Sequence, residues 1–338
     1  YEQAAVEVST LKQGWTASGL WLQSGDEVTI AGEGLVDLGL GALLEPRHLI
    51  WARIGEDGPI FSMRSNHYTF TASKHGELYL APSPPALVWA TRTGEWIPQF
   101  ADMPDAPMDI SLTAYRWRDG ARDGLKALVE EDAMAELSKV SLLALDQQRE
   151  LPAGFEYLWF FNAANVFGTY EEGSRKGVYV ETDDDFGIIK KPLDIPLTAD
   201  TRFDFDWLYE ALPAVAAEND ATKHDYMSIA LEFDNGQDIT WFWSVSMTEG
   251  ESFPCPLPDW QHRETHIVLQ SGDDGLGEWH SHSRPILADY ESSVGGEPPK
   301  KIVGAWIIGA SVMNRQPAEA YFANAAVVEG DQRVEVFD

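Results

Sequence analysis

Cysteine is almost missing from this chain: Cys255 is the single one in 338 residues. No intrachain disulfide can form, which excludes the stapled architecture of small secreted domains. A cytoplasmic setting is favoured on that ground. A processed exported protein is the alternative, because the chain begins at Tyr1 with neither an initiator methionine nor a charged-then-apolar leader. Basic residues are also scarce, 24 Lys+Arg against 55 Asp+Glu, for a net charge of −31. A field of that sign repels nucleic-acid backbones, anionic membrane surfaces and polyanionic substrates, so no nucleic-acid partner is expected. No apolar run approaches ~18 residues without a charge, so no membrane span is expected. The phosphate-cradling Gly-rich Lys-Ser/Thr loop, the dinucleotide fingerprint and the Gly-x-Ser-x-Gly elbow are all missing, and no organic cofactor is expected.

Tryptophan and strand grammar are present in quantity. Thirteen tryptophans supply both core filler and flat apolar rings of the kind that stack on sugars. The length exceeds one typical domain, so two domains are expected. Residues 1–118 alternate apolar and polar positions in short runs such as "SGLWLQSGDEVTIAGEG", "HLIWARIG", "HYTFTAS" and "GELYLAP", separated by Gly, Pro, Asn and Asp breaks. Residues 119–152 change character: "ARDGLKALVEEDAMAELSKVSLLALDQQR" is rich in Ala, Leu, Glu and Lys, with Leu125, Leu128, Val129 and Met134 near helical spacing. From residue 153 to 338 the strand pattern resumes, with short helical pieces expected near 212–217 and 286–294. The expected architecture is all-β: two β-sandwich, jelly-roll-like domains joined by a helical connector.

In "HDYMSIALEFDNGQDITWFWSVSM" (224–247) two apolar runs flank Asn235-Gly236. A two-residue turn at Asn-Gly would place Tyr226, Ser228, Ala230 and Glu232 on one face with Trp241 and Trp243. Small residues would then stand across from two indoles beside a carboxylate and a phenol, the make-up of a saccharide platform. The other reading of the same pattern is the second layer of a sandwich core.

Further polar residues gather downstream. "HRETHIVLQSG" puts Glu264 and His266 on one strand face, and "GEWHSHSRPILADY" adds Glu278, His280, His282, Arg284, Asp289 and Tyr290. His280 and His282, at i,i+2 on a strand, share a face and could contribute to a metal site, but spacing dictates no third ligand. "DNGQD" and "ETDDDFG" are oxygen-rich loops that could hold calcium or simply be solvated turns. Cys255, between prolines in "FPCPLP", reads as a buried or rigid-loop thiol, since no partner histidine is dictated.

The run "GWTASGLWLQSGDEVTIAGEG … WARIGEDGPIFSMRSNHYTFTASKHGELYLAP" resembles the bacterial galactophilic lectin-like domain, a galactose-binding-type β-sandwich, over the first third of the chain. Those lectins follow the late "LYL"-type strand with an Asn-Asp loop that ligates calcium and sugar. Here "APSPPALVWATRTGEW" stands in its place, so the resemblance assigns no site residue. Residues 155–330, with "CPLPDWQHRETHIVLQSG" and "SSVGGEPPKKIVGAWIIGASV", resemble a bacterial family catalogued as a domain of unknown function with a β-sandwich fold.

The combined expectation is a carbohydrate-active protein, a lyase or hydrolase acting on a glycoside or oligosaccharide, with its site in the C-terminal sandwich. Trp241 and Trp243 would form the platform, with His280 and Glu264 contacting substrate. Glu232 or His266 would be the base, Tyr226 an acid/base group and Arg284 the charge stabiliser. The alternative is a non-catalytic carbohydrate- or small-ligand-binding protein. A third is an oligomer interface on the N-terminal sandwich and connector.

Overall fold

A computed structural model describes residues 1–37, 43–84, 87–98, 102, 104–130 and 135–337. Met134 lies outside them. The chain is built mostly of strands and divides into two compact units, residues 1–148 with 158–165, and residues 149–157 with 166–338.

The first unit contains β1 (Glu2–Thr10), β2 (Thr16–Leu22), β3 (Glu27–Glu33), β4 (Val36–Asp37), β5 (Leu43–Leu44), α1 (Pro46–Leu49), β6 (Ile50–Ile54), β7 (Phe61–Ser62), β8 (His67–Thr71), β9 (Gly76–Pro82), β10 (Pro107–Trp117), α2 (Ala121–Glu130) and α3 (Ala135–Asp146). Two four-stranded antiparallel sheets form, ordered β1-β10-β3-β8 and β2-β9-β6-β7. β10 shows how the sequence directs this: Met108, Ile110, Leu112 and Ala114 are buried while Pro107, Asp109 and Ser111 are exposed, the period-two signature of a half-buried strand. The helical stretch forms two helices that belong to this unit. Leu125 and Leu128 of α2, with Leu137, Leu142 and Leu145 of α3, pack on Ala31, Tyr115 and Trp117. Gly124 permits the close approach, because a Cβ there would run into the Trp117 ring.

The second unit contains β11 (Glu156–Tyr157), β12 (Phe167–Glu172), β13 (Arg175–Thr182), β14 (Phe186–Pro196), β15 (Arg202–Ala211), β16 (Met227–Phe233), β17 (Asp238–Ser244), β18 (Ser252–Pro254), β19 (Glu264–Ser271), β20 (His280–Pro285), α4 (Ile286–Ser293), β21 (Lys301–Ala310), β22 (Ala318–Glu329) and β23 (Gln332–Glu335). One sheet runs β11-β14-β21-β16-β17-β19-β18 and the other β12-β13-β22-β15-β20, with β23 on β22. Pairing is antiparallel except for β17 with β19, which is parallel. The helix expected near 212–217 is absent: Pro213 disfavours helical backbone at the residue before it. The helix expected at 286–294 is α4.

The β16–β17 hairpin differs from expectation by one residue. Phe233 N donates to Gln237 O and Gly236 N to Phe233 O, with Gly236 at φ +81°. Three residues, Asp234 to Gly236, therefore make the turn, with glycine in the left-handed position that such loops require. Ser228 consequently faces Phe242, Ala230 faces Thr240 and Glu232 faces Asp238, while Ile229 faces Trp241. A slip of one residue sends every side chain of a strand to the opposite face. Trp241 and Trp243 thus leave the face of Tyr226 and Glu232 and point between the two sheets.

Candidate functional site

The interior placement of the two indoles corrects the platform reading. Trp241 and Trp243 are 0% and 1% exposed. Trp241 lies against Phe203 and Phe205, with ring centroids 5.6 and 6.4 Å away, and Trp243 against Tyr209 at 5.4 Å. Their ring N–H groups are satisfied internally. Trp241 Nε1 donates to Asp289 Oδ2 at 3.0 Å, and Trp243 Nε1 donates to the Gly272 carbonyl at 2.9 Å. Arg284 belongs to the same arrangement: Nε and Nη2 grip Asp289 at 2.9 and 2.6 Å, a two-pronged pair that fixes the acceptor of the Trp241 N–H. His280 packs edge-on against Trp243 and its Nε2 sits 3.0 Å from the Gly275 carbonyl.

The remaining expected residues lie on the other face of the same sheet. Tyr226 OH donates to Glu264 Oε1 at 3.0 Å, Thr240 Oγ1 donates to that oxygen at 3.2 Å, and His266 Nε2 stands 3.4 Å from it. The parallel pairing of β17 with β19 sets Asp238 beside Glu264 and Thr240 beside His266. Glu232 is bound apart from them. It accepts from Lys190 Nζ, from Arg263 Nη2 at 3.2 Å and from Trp306 Nε1 at 3.1 Å. Its oxygens are taken up by two cations and an indole, and Glu232 makes no hydrogen bond to Tyr226 or His266.

Two residues that the sequence did not connect complete the cluster. His224 Nδ1 lies 2.5 Å from the Glu218 carbonyl, and its Nε2 is 3.4 Å from Cys255 Sγ. His224, Cys255 and His266 offer donor atoms all within 4.8 Å of one another. His266 is fully buried, with Phe253 stacked on it at 5.0 Å, and neither of its ring nitrogens makes a hydrogen bond. Burial sets the electrostatics here. It pushes the Tyr226 phenol, the Cys255 thiol and the Asp238 and Glu264 carboxyls up. It pulls His224 down to about 4 and His266 well below its usual value, so both imidazoles are neutral near pH 7. Two carboxyls that resist ionising beside neutral imidazoles and a thiol can share protons or hold a cation. Only the fold juxtaposes them: His224, Cys255 and Glu264–His266 come from three separate stretches of chain.

A second grouping lies on the outer face of the other sheet, where β12, β13 and β22 meet the loop before β20. Tyr170, Tyr179, Tyr321 and Trp279 are half-buried. Tyr321 is 4.9 Å from Tyr170, 6.3 Å from Tyr179 and 6.4 Å from Trp279. Arg175 stands over Trp279 at 4.5 Å and Arg149 over Tyr179 at 4.8 Å. Tyr170 OH donates to Glu172 at 2.7 Å and Tyr321 OH donates to Glu319. Burial and the Glu172 carboxylate push the Tyr170 phenol up to about 12. Gly168 makes room for this surface, since a Cβ there would enter the Tyr179 ring. The alternation in "GTYEEGSRKGVYVET" and "AEAYFANA" carries the signal for these rings.

The two acidic loops carry other contacts. Asp184 pairs with Arg315 at 2.7 Å, and Asp234 accepts from Lys300 N at 2.9 Å. His282 lies on Trp207 at 4.5 Å, and its Nε2 is buried without a partner. Among the described residues, no helix is long and apolar enough to cross a membrane.

The chain is similar to several solved structures. An EclA N-terminal domain, described as a PllA-like lectin, is 20% identical and covers 34% of this chain and 96% of its own, with a TM-score of 0.25. The xyloglucanase domain of NopAA from Sinorhizobium fredii is 11% identical over 48% of this chain and 87% of its own, TM-score 0.31. A family 30 carbohydrate-binding module of a cellulosomal cellulase from Clostridium thermocellum is 8% identical over 53% and 88%, TM-score 0.26. No role assigned to a residue rests on these likenesses. None of the curated proteins matches the chain. The model of the family described as "protein of unknown function (DUF3047)" matches residues 157–326, half of the chain and nearly all of the second unit's two sheets. The chain belongs to the DUF3047 family.

Proposed function

We propose that this is a carbohydrate-binding protein whose second unit takes a neutral glycan on the outer aromatic face of Tyr170, Tyr179, Trp279 and Tyr321. The observation that carries this reading is the four-ring surface itself, half-buried and ringed by charges. Aromatic faces stack on the apolar faces of sugars, while Arg175, Glu172 and Glu319 at the margin offer partners for hydroxyl groups. The rings are pre-positioned by mutual contact and by cation stacking, so little side-chain freedom is lost on binding. A net charge of −31 favours uncharged glycans over uronates or sulfated chains.

Titration calorimetry of the full chain against neutral oligosaccharides tests this. Trp279→Ala and Tyr321→Ala are expected each to weaken binding by about tenfold or more, ~1.4 kcal/mol or more, while leaving the circular dichroism spectrum unchanged. Undiminished affinity in both variants overturns the assignment of the surface. The catalytic reading, a lyase or glycoside hydrolase, is favoured by one observation, the adjacent buried carboxyls Asp238 and Glu264. Chromatography of the titrated oligosaccharides for shortened products tests it, with Glu264→Gln as the variant expected to abolish cleavage.

A further inference from the structure

The glycan surface does not use the buried cluster that lies just before β16, just after β18 and at the start of β19. We propose that the second unit binds one zinc ion there, with His224 Nε2, Cys255 Sγ, a ring nitrogen of His266 and Glu264 Oε1 as its four ligands.

The separations suit a metal shell. The donor atoms of His224, Cys255 and His266 lie within 4.8 Å of one another, with His224 Nε2 and Cys255 Sγ 3.4 Å apart. Glu264 Oε1 is 3.4 Å from His266 Nε2. Ligand atoms around tetrahedral zinc stand roughly 3.3–3.8 Å apart for bonds of about 2.0–2.3 Å. Three donor atoms thus lie close to that spacing already, and Glu264 is the carboxylate within reach of His266 to complete the shell.

The second and independent observation is His266. It is 0% exposed, yet both of its ring nitrogens are buried without a hydrogen bond. Buried polar groups in folded proteins have partners, and an imidazole aimed at a thiol and a second imidazole finds one in a metal ion.

The surroundings are those of a metal-binding histidine. The short contact from His224 Nδ1 to the Glu218 carbonyl assigns the proton to that nitrogen and leaves the Nε2 lone pair toward the thiol. Tyr226 and Thr240 donate to Glu264 Oε1 and orient that carboxylate. One sulfur and two imidazoles select zinc over calcium or magnesium, which take oxygen ligands. Zinc binding removes the proton from the Cys255 thiol and releases it to solvent.

All four ligands are 4% exposed or less. The site is therefore closed, and the ion ties the segment before β16, the segment after β18 and the first residues of β19. It lies on a different sheet from the aromatic surface, so it stands or falls separately from glycan binding there; the catalytic reading shares Glu264 with it, and a closed zinc shell would exclude that reading.

The test is metal analysis of the full-length protein after zinc loading and desalting, followed by cobalt substitution. The expected result is one equivalent of zinc per chain, a thiolate-to-cobalt charge-transfer band in the near ultraviolet, and a melting temperature lowered by chelator. Cys255→Ser is expected to remove the band and weaken zinc retention at least tenfold, and His266→Gln to weaken retention likewise. Should these variants fail to fold, the zinc absorption edge of the wild type decides: one sulfur, two imidazoles and one oxygen are expected. The proposal is overturned if the loaded protein holds less than a tenth of an equivalent. It is equally overturned if bound zinc shows no sulfur ligand, or if folded Cys255→Ser and His266→Gln retain zinc as tightly as the wild type.

Discussion

Trp241 illustrates how a residue type can be read correctly as important and wrongly as exposed. Its ring fills the space against Phe203 and Phe205, and its N–H ends on an Asp289 that Arg284 holds in place. Trp241→Ala is expected to cost about 3–5 kcal/mol in urea unfolding, the scale of a large aromatic deleted from a packed interior. A loss below about 1 kcal/mol would contradict this packing. His282 gives a second prediction at this scale. Burial on Trp207, then the nearby His280 and Arg284, bring it from its usual 6.5 down to about 4, with Asp206 opposing. Between those two pH values the unfolded chain takes up a proton that the folded chain refuses, so stability falls as pH drops through this window. His282→Gln removes that contribution, and the variant is expected to lose less stability than the wild type between pH 7 and pH 5. Parallel unfolding curves at both pH values would refute it. The sequence displayed Glu264, His266 and Tyr226 as chemistry-bearing residues, and they do converge. It could not display His224 with Cys255, because a histidine and a thiol 31 positions apart leave no periodic trace; only the pairing of strands brings them together.

Strand register explains most of the difference between expectation and structure. "DNGQD" contains the Asn-Gly of a two-residue turn, and nothing local in the sequence says that the turn closes from Phe233 to Gln237 instead. The decision comes from burial: the three-residue loop puts Ile229, Leu231, Ile239 and Trp241 together between the sheets, where their apolar area is removed from water. Alternation within single strands is a local property and was legible, which is why the all-β architecture could be read directly. Alternation also carried Tyr170, Tyr179 and Tyr321, but as unremarkable outer positions, since the neighbour relations across β12, β13 and β22 are properties of the sheet. Gly168 offers a test of that surface. An alanine there has to displace the Tyr179 ring, so Gly168→Ala is expected to weaken glycan binding several-fold while the same chain remains folded. Unchanged affinity would show that Tyr179 takes no part.

At the scale of the whole molecule, the boundaries differ from a simple succession of sandwich, connector and sandwich. Residues 158–165 return to the first unit after residues 149–157 have joined the second. That return packs Trp159 against the cluster of Trp51, Ile60 and Trp89. It also brings the Phe160 carbonyl to Trp89 N at 3.1 Å and Ala163 N to Ser62 Oγ at 2.8 Å. A chain ending at residue 148 is therefore expected to melt at a lower temperature than one ending at 165, by differential scanning calorimetry; equal melting would deny the returning segment any weight. Composition changes sharply near residues 119 and 152, but contacts do not follow composition: the helices pack on Tyr115 and Trp117 because their leucines need a partner surface. The interleaving has a consequence for descent. A gene fragment that begins or ends at the break near residue 152 carries one unit missing a piece together with a stray piece of the other. A clean exchange of one unit for another would therefore have to move both together or first lose the returning segment.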